Sequence, residues 1–425
     1  MKKKFLAIAV AGLSSAAIAQ SNVTISGVVR VGLEQVGAGG ATVAGASATS
    51  RNRVTDNGSN IRFAGEEVLG NGLTAWWQME SAIGVSDNVG SAGAASNAAP
   101  GVTTLGSRNT AVGVKGVWGN LFMGKWDVHY NSGNVVDTVN GNDAFSSRAQ
   151  VLNITHGNGA AATATVAANA NNAATVAGRN AANGFGGRLN NVISYVSPNV
   201  SGFAVGITHS TQAESTAANI SAKDKAWAIT PTYNNGPITA FYSWMKLSNT
   251  GAVVTAAVAG ETGNNLTGQR LGGAYTFPMG LKIGLVWDKN KVEVADGTAS
   301  LGALGIAATG GNVAAHARRE RSAWALPIQY VTGAHRLNFA YAKATSIKTD
   351  IGTVGDSGAN LYVLGYEYSL SKRTSVAVLY SAINNGANAA YDFREASVNI
   401  AGTSGAGLAA GADPRTFQLA VRHAF

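Results

Sequence analysis

Apolar residues recur at every second position along much of this chain. Val23, Ile25, Gly27, Val29, Val31 and Leu33 share one face, and Thr24, Ser26, Arg30 and Glu34 share the other. Leu281, Ile283, Leu285 and Trp287 alternate with Lys282 and Gly284. Leu337, Phe339 and Tyr341 alternate with Arg336 and Asn338, and Tyr362, Leu364, Tyr366 and Tyr368 with Gly365 and Glu367. Successive side chains of an extended strand point to opposite faces, so each run predicts a β-strand with one apolar and one polar side. The chain closes on such a run: Phe417, Leu419, Val421, His423 and Phe425 face one way, Gln418, Ala420, Arg422 and Ala424 the other.

Short turns join these strands in pairs. They fall at Leu69-Gly70-Asn71-Gly72, Gly116 to Asn120, Ser197-Pro198-Asn199, Asn234-Asn235-Gly236-Pro237, Pro278-Met279-Gly280, Thr332-Gly333-Ala334 and Ser369 to Arg373. Their Gly, Pro and Asn content suits tight hairpins. Seven hairpins, with a first strand from Val23 and a last from Thr416, make sixteen strands. Between hairpins lie longer polar stretches, roughly 35–58, 82–106, 127–186, 211–224, 247–269, 289–320, 345–359 and 383–414. The third is the longest and holds Ala160 to Ala177, built only of Ala, Asn, Thr and Val. Short turns alternating with long loops are the rhythm of an outer-membrane barrel, with turns in the periplasm and loops outside. A large soluble β-sandwich gives the same alternation and is the rival architecture.

Composition favours the barrel. Charged residues are only 12% while apolar residues are 46% of the 425. Soluble domains carry about 25% charged residues. Nothing beyond the N-terminus offers a long apolar run for a membrane helix, so a membrane role requires a closed barrel, because lipid cannot satisfy an open backbone edge. Lys2, Lys3 and Lys4, the apolar run from Phe5 to Leu13 and Ala17-Ile18-Ala19 form a secretory leader with an A-x-A cleavage site. The expected organisation is a leader at 1–19 and one barrel at 20–425. Losing that leader lowers the formal charge from +9 to +6, since it holds three lysines and no acid. No dense basic cluster with interleaved aromatics appears, so nucleic acid is not an expected partner; scattered positive charge suits small anions.

Catalysis has little to stand on. His209 precedes Ser210, but neighbouring strand residues face opposite ways, and no nucleophile-elbow pattern occurs. His129, His156, His316, His335 and His423 stand apart, and cysteine is absent, so neither a metal site nor a cofactor is expected.

Several blocks resemble the Gram-negative porin family, in particular the betaproteobacterial and neisserial porins. They are Asn60 to Leu73 with Trp77-Gln78-Met79-Glu80, Arg108 to Gly116, Arg188 to Pro198, Tyr366 to Thr374, and Arg422-His423-Ala424-Phe425. The resemblance implies a sixteen-stranded all-β transmembrane barrel and a homotrimer in lipid and lipopolysaccharide. It also implies that the third loop folds into the lumen and that the barrel-assembly machinery inserts the chain. Phe425 is then the terminal aromatic of the assembly signal. The implied function is passive diffusion of small hydrophilic solutes and ions, with a substrate-specific channel of the same fold as the alternative. By motif position Arg108 and Arg188 correspond to basic wall residues of the family's constriction. Asn60 stands where the family has another arginine, with Arg62 two residues on as its substitute, and Gly124-Lys125 replaces a glycine-arginine pair. Arg108, Arg188, Arg62, Lys125 and Arg30 are thus expected on the positive side, and Glu80, Asp137 and Asp143 as nearby acids. One conflict remains: Arg108 shares the parity of Val112 and Val114, which read as lipid-facing unless a bulge intervenes. Trp76, on the inward parity, is a packing residue or a rung of a substrate ladder.

Overall fold

A computed structural model describes residues 22–42, 44, 47–85, 105–127, 135–136, 188–211, 225–249, 264–294, 317–349, 352–393 and 408–425. Every regular element among them is a β-strand. In chain order they are β1 (Asn22–Gly39), β2 (Ala48–Asp56), β3 (Asn60–Gly70), β4 (Leu73–Ala82), β5 (Thr110–Gly116), β6 (Gly119–Asp127), β7 (Arg188–Val196), β8 (Phe203–Ser210), β9 (Lys225–Asn235) and β10 (Ile238–Asn249). There follow β11 (Asn264–Thr276), β12 (Leu281–Val294), β13 (Ala317–Thr332), β14 (His335–Ala344), β15 (Lys348–Thr349), β16 (Gly352–Thr353), β17 (Ala359–Ser369), β18 (Thr374–Asn385) and β19 (Asp413–Ala424). The expected leader at 1–19, the Ala160 to Ala177 run, Asp137, Asp143, His129, His156 and His316 lie outside the described residues.

The strands form one antiparallel sheet that closes on itself where β1 pairs with β19, from Val28 opposite Ala424 to Gly39 opposite Asp413. Both β2 and β3 pair with β1 and are two halves of one strand, while β15 and β16 make a small hairpin above it, leaving a sixteen-stranded barrel. The break between the halves has a local cause. The Asp56 carboxylate accepts from the Gly58 and Ser59 amides at 3.0 and 2.8 Å, diverting them from the ladder. Closure removes the open edge that lipid would not tolerate.

The alternation sorts as the sequence predicts. Leu33 is 56% exposed, Leu285 59% and Leu364 58%, while Glu34 and Gln418, on the other parity, are at most 1% exposed. The large apolar residues therefore face outward and the polar ones inward. This inverts a soluble protein and removes the sandwich rival, which needs two sheets packed on an apolar core. All seven hairpin turns occur where expected. Several loops are shorter than expected: β1 runs to Gly39, β2 starts at Ala48, β11 starts at Asn264, β12 runs to Val294 and β13 starts at Ala317. The physical reason is that a strand leaving the membrane keeps its backbone ladder but no longer needs an apolar outer face.

Two contacts fix the ends of the design. The Phe425 and Gly27 backbones exchange two hydrogen bonds at 3.0 Å, and a Cβ on Gly27 would lie 2.6 Å from the Phe425 ring. Glycine there lets the terminal ring lie flat on the first strand. Inside the barrel, Val135 and Val136 of the third loop are buried, and the Val135 side chain lies 2.7 Å from where a Cβ on inward-facing Gly284 of β12 would stand. Val135 and Val136, the described part of the third loop, thus lie inside the lumen against the wall opposite the loop's origin.

Candidate pore constriction

The basic residues gather on the inner wall from β1 to β7. Ser26, Arg62 and Glu80 are successive cross-strand partners on β1, β3 and β4, so all three share the inward face. Arg62 Nε donates to Ser26 Oγ at 3.2 Å. Arg30 sits at the break between β2 and β3, where its Nη1 donates to the Gly58 carbonyl at 3.1 Å. Asn60 donates to the same carbonyl at 3.4 Å.

Arg108 lies inward, although its parity in the sequence suggests lipid. β5 begins only at Thr110, and the residues before it form a bend with Gly106 at φ 73. The bend is stitched to the end of β4: Gly106 N donates to Ser81 Oγ and Ala82 N to Ser107 Oγ, both at 2.9 Å. A bend, not a bulge within the strand, resets the facing. Arg108 Nε forms an ion pair with Glu80 Oε1, and its backbone N–H donates to the Glu80 carbonyl at 2.9 Å.

The same bend collects the other two cations. Arg188 Nε donates to Asn109 Oδ1 at 2.9 Å, and its Nη2 lies 3.3 Å from Asp127 Oδ2. Lys125 Nζ lies 3.5 Å from the Gly106 carbonyl. Gly124, at φ +152, precedes that lysine, and a Cβ there would meet the Thr110 carbonyl at 2.2 Å, so only glycine fits. Arg62, Glu80, Arg108, Lys125 and Arg188 are therefore grouped around residues 106–109, and Arg30 stands one strand away. Asp127 was not legible in the sequence; it fell at the edge of an expected loop.

The sequence reading also missed the seam beside Arg30. Arg53 reaches Glu34 at 2.5 Å, and Gln418 of β19 donates to Glu34 at 3.0 Å while accepting from Asn57 at 3.0 Å. The inward parity of Glu34 and Gln418 was the available signal. Trp76 packs rather than standing alone: its ring centroid is 5.5 Å from Phe122 and 5.9 Å from Trp126, and its Nε1 donates to Asn120 Oδ1 at 2.7 Å. His209 stacks on outward Trp227 with centroids 4.2 Å apart, while neighbouring Ser210 is buried and bonded to the Asn190 carbonyl. The wall can set a positive potential over the lumen beside it, moderated by Glu80 and Asp127.

Residues 6–388 match the family model described as Gram-negative porin. The major outer membrane protein P.IB of Neisseria meningitidis serogroup B is 36% identical over 128 residues, which are 29% of this chain and 34% of that protein. P.IA of Neisseria meningitidis serogroup B / serotype 15 (strain H44/76) is 31% identical over 143 residues, 29% of this chain and 33% of that protein. The chain thus spans about a third of the length of the curated relatives it matches. Among solved structures, an anion-selective porin from Comamonas acidovorans superposes with a TM-score of 0.63 at 21% identity, covering 96% of this chain and all of that one. OmpT, an outer membrane protein of Vibrio cholerae, in its trimer form gives 0.59 at 14% identity over 95% of this chain and 99% of that one. With a closed barrel and a family match over most of its length, this chain belongs to the Gram-negative porin family of the outer membrane.

Proposed function

We propose that this protein is a general diffusion porin: a homotrimeric, water-filled channel that passes small hydrophilic solutes and prefers anions. Its first nineteen residues are an export leader, and residues 20–425 form the barrel. The observation that carries the reading is the group Arg62, Arg108, Lys125 and Arg188 on one inner wall, opposite the wall that receives Val135 and Val136. Cations on a confined, low-dielectric wall raise the local concentration of anions and lower their barrier to passage. No covalent step is required, so the reading is a channel and not an enzyme.

A substrate-specific channel is the second reading, because Trp76, Phe122 and Trp126 put three aromatic rings together on the inner face. They pack on one another rather than following one after another along the passage, which favours general diffusion. Single-channel recording from the purified protein tests the choice. Open steps in potassium chloride that grow in proportion to salt support diffusion. A silent protein contradicts the channel, and block by one solute class at micromolar concentration contradicts its generality.

A further inference from the structure

We propose that Arg321 and Tyr391 form a carboxylate-binding station on the wall opposite the basic group, a deeper detail that rests on the channel reading above. Arg321 lies on β13 on the same face as inward Ala323 and Ala325, and it is only 1% exposed. Its Nη1 donates to the Tyr391 hydroxyl at 2.5 Å, and its guanidinium carbon lies 5.3 Å from the Tyr391 ring centre. Its Nε and Nη2, the two donors along one edge of the guanidinium, have no acceptor among the described residues.

That edge presents two parallel N–H groups, the arrangement that a planar carboxylate accepts with both oxygens. The neighbouring acid does not use it. Asp288 on β12 accepts from Arg270 Nε at 2.7 Å and from Asn290 Nδ2 at 2.5 Å, and Asn290 is the cross-strand partner of Arg321. Asp288 is thereby committed to Arg270. A structural strut to Tyr391 would need one donor and no charge; burying a whole guanidinium for it leaves two donors unspent.

The station is also held in place. Tyr391 is wholly buried, and both its backbone groups are clamped by Asn385: Tyr391 N donates to Asn385 Oδ1 at 2.9 Å, and Asn385 Nδ2 donates to the Tyr391 carbonyl at 2.9 Å. Asn385 is anchored in turn to Asp413 and Ala412. A hydroxyl that accepts from Arg321 keeps its own hydrogen to donate. Arg321 and Tyr391 are both buried, and a low local dielectric strengthens a charge-assisted hydrogen bond. One cation with one free edge fits a monocarboxylate better than a tetrahedral dianion, which calls for a second free cation.

The test is conductance of the purified protein in planar bilayers as a function of potassium acetate, chloride or phosphate concentration. The wild type should saturate in acetate and stay proportional in chloride and phosphate. Arg321→Gln and Arg321→Lys should both raise the half-saturating acetate concentration by about tenfold or more, because each removes the two-pronged edge. Arg321→Lys should do so with the zero-current potential in a chloride gradient kept, which a merely charged wall residue does not predict. Tyr391→Phe should shift the same curve several-fold, and it decides the matter should the Arg321 variants fail to assemble. Proportional acetate conductance in the wild type, equal saturation in phosphate, or unchanged half-saturation in the variants overturns the station. A protein that conducts chloride but never saturates in acetate fails this inference alone, whereas one that conducts nothing fails the channel reading.

Discussion

The inner surface of this barrel has two unlike halves. From β1 to β7 it carries Arg30, Arg62, Arg108, Lys125 and Arg188, interleaved with Glu34, Glu80 and Asp127. From β11 to β18 it carries an apolar patch, with Ala325, Ala340, Ala342, Leu361, Val363 and Leu379 buried around Val135 and Val136 of the third loop, beside the buried polar set Arg270, Asp288, Asn290 and Arg321. Both halves are built from the same alternating strands, so the difference lies only in what occupies the inward positions. Small apolar residues let a loop come close, and burying a valine side chain contributes about 1.5–3 kcal/mol. Charged residues instead keep water beside them. Val135 and Val136 lie against the first kind of wall, and on the proposed channel reading the passage runs along the second.

The largest expected effect lies in the polar half. Arg53→Ala leaves the Glu34 carboxylate, wholly buried, without its cation. Breaking such a pair costs about 3–5 kcal/mol, and the urea midpoint of the detergent-folded barrel should fall accordingly; an unchanged midpoint shows that Gln418 alone carries the carboxylate. Next comes the apolar half. Gly284→Leu drives side-chain atoms into Val135, whose Cγ2 would stand only 2.7 Å from a Cβ on residue 284. Overpacking costs about 1–3 kcal/mol, and displacement of the loop should also raise single-channel conductance. Equal conductance would show that the loop's hold on this wall is not what sets the passage.

Smaller effects separate charge from stability. Glu80→Gln keeps an oxygen to accept from Arg108 but removes the neutralising charge, so stability should drop by only about 1 kcal/mol while the zero-current potential moves further toward anions. Movement toward cations would contradict Arg108 as a lumen charge. The smallest effect is expected from Lys115→Gln, because the Lys115–Glu66 pair is 41% and 60% exposed near the short turns. Pairs of that kind contribute little, and both melting and selectivity should stay at the wild-type values.

Much of this was legible beforehand, for a definite reason. Lipid on one side and water on the other impose a strict period of two, so strand facing follows from runs such as Val23 to Leu33 or Tyr362 to Tyr368, and strand number from the seven Gly/Pro/Asn turns between the runs. Arg62 and Glu80 could be placed inward by parity. Arg108 could not, since it belongs to an irregular bend whose course depends on Ser81 and Ser107 from another segment. Asp127, Asp288 and Arg321 were hidden differently: Asp127 opens a stretch that reads as loop, and Asp288 and Arg321 border another, where a strand loses its apolar outer face. Tyr391 gave no signal, because its position depends on the fold of the segment after β18 and on its clamp, Asn385.

The most direct test of the two-walled account is the zero-current potential of the purified protein across a bilayer bearing a potassium chloride gradient, compared with that of the Arg108→Gln/Arg188→Gln double variant. The account predicts an anion-preferring sign for the wild type and a potential at least halved toward zero in the double variant, with open-channel conductance retained. A wild-type potential of cation-preferring sign, or one that the double variant leaves unchanged, would contradict it.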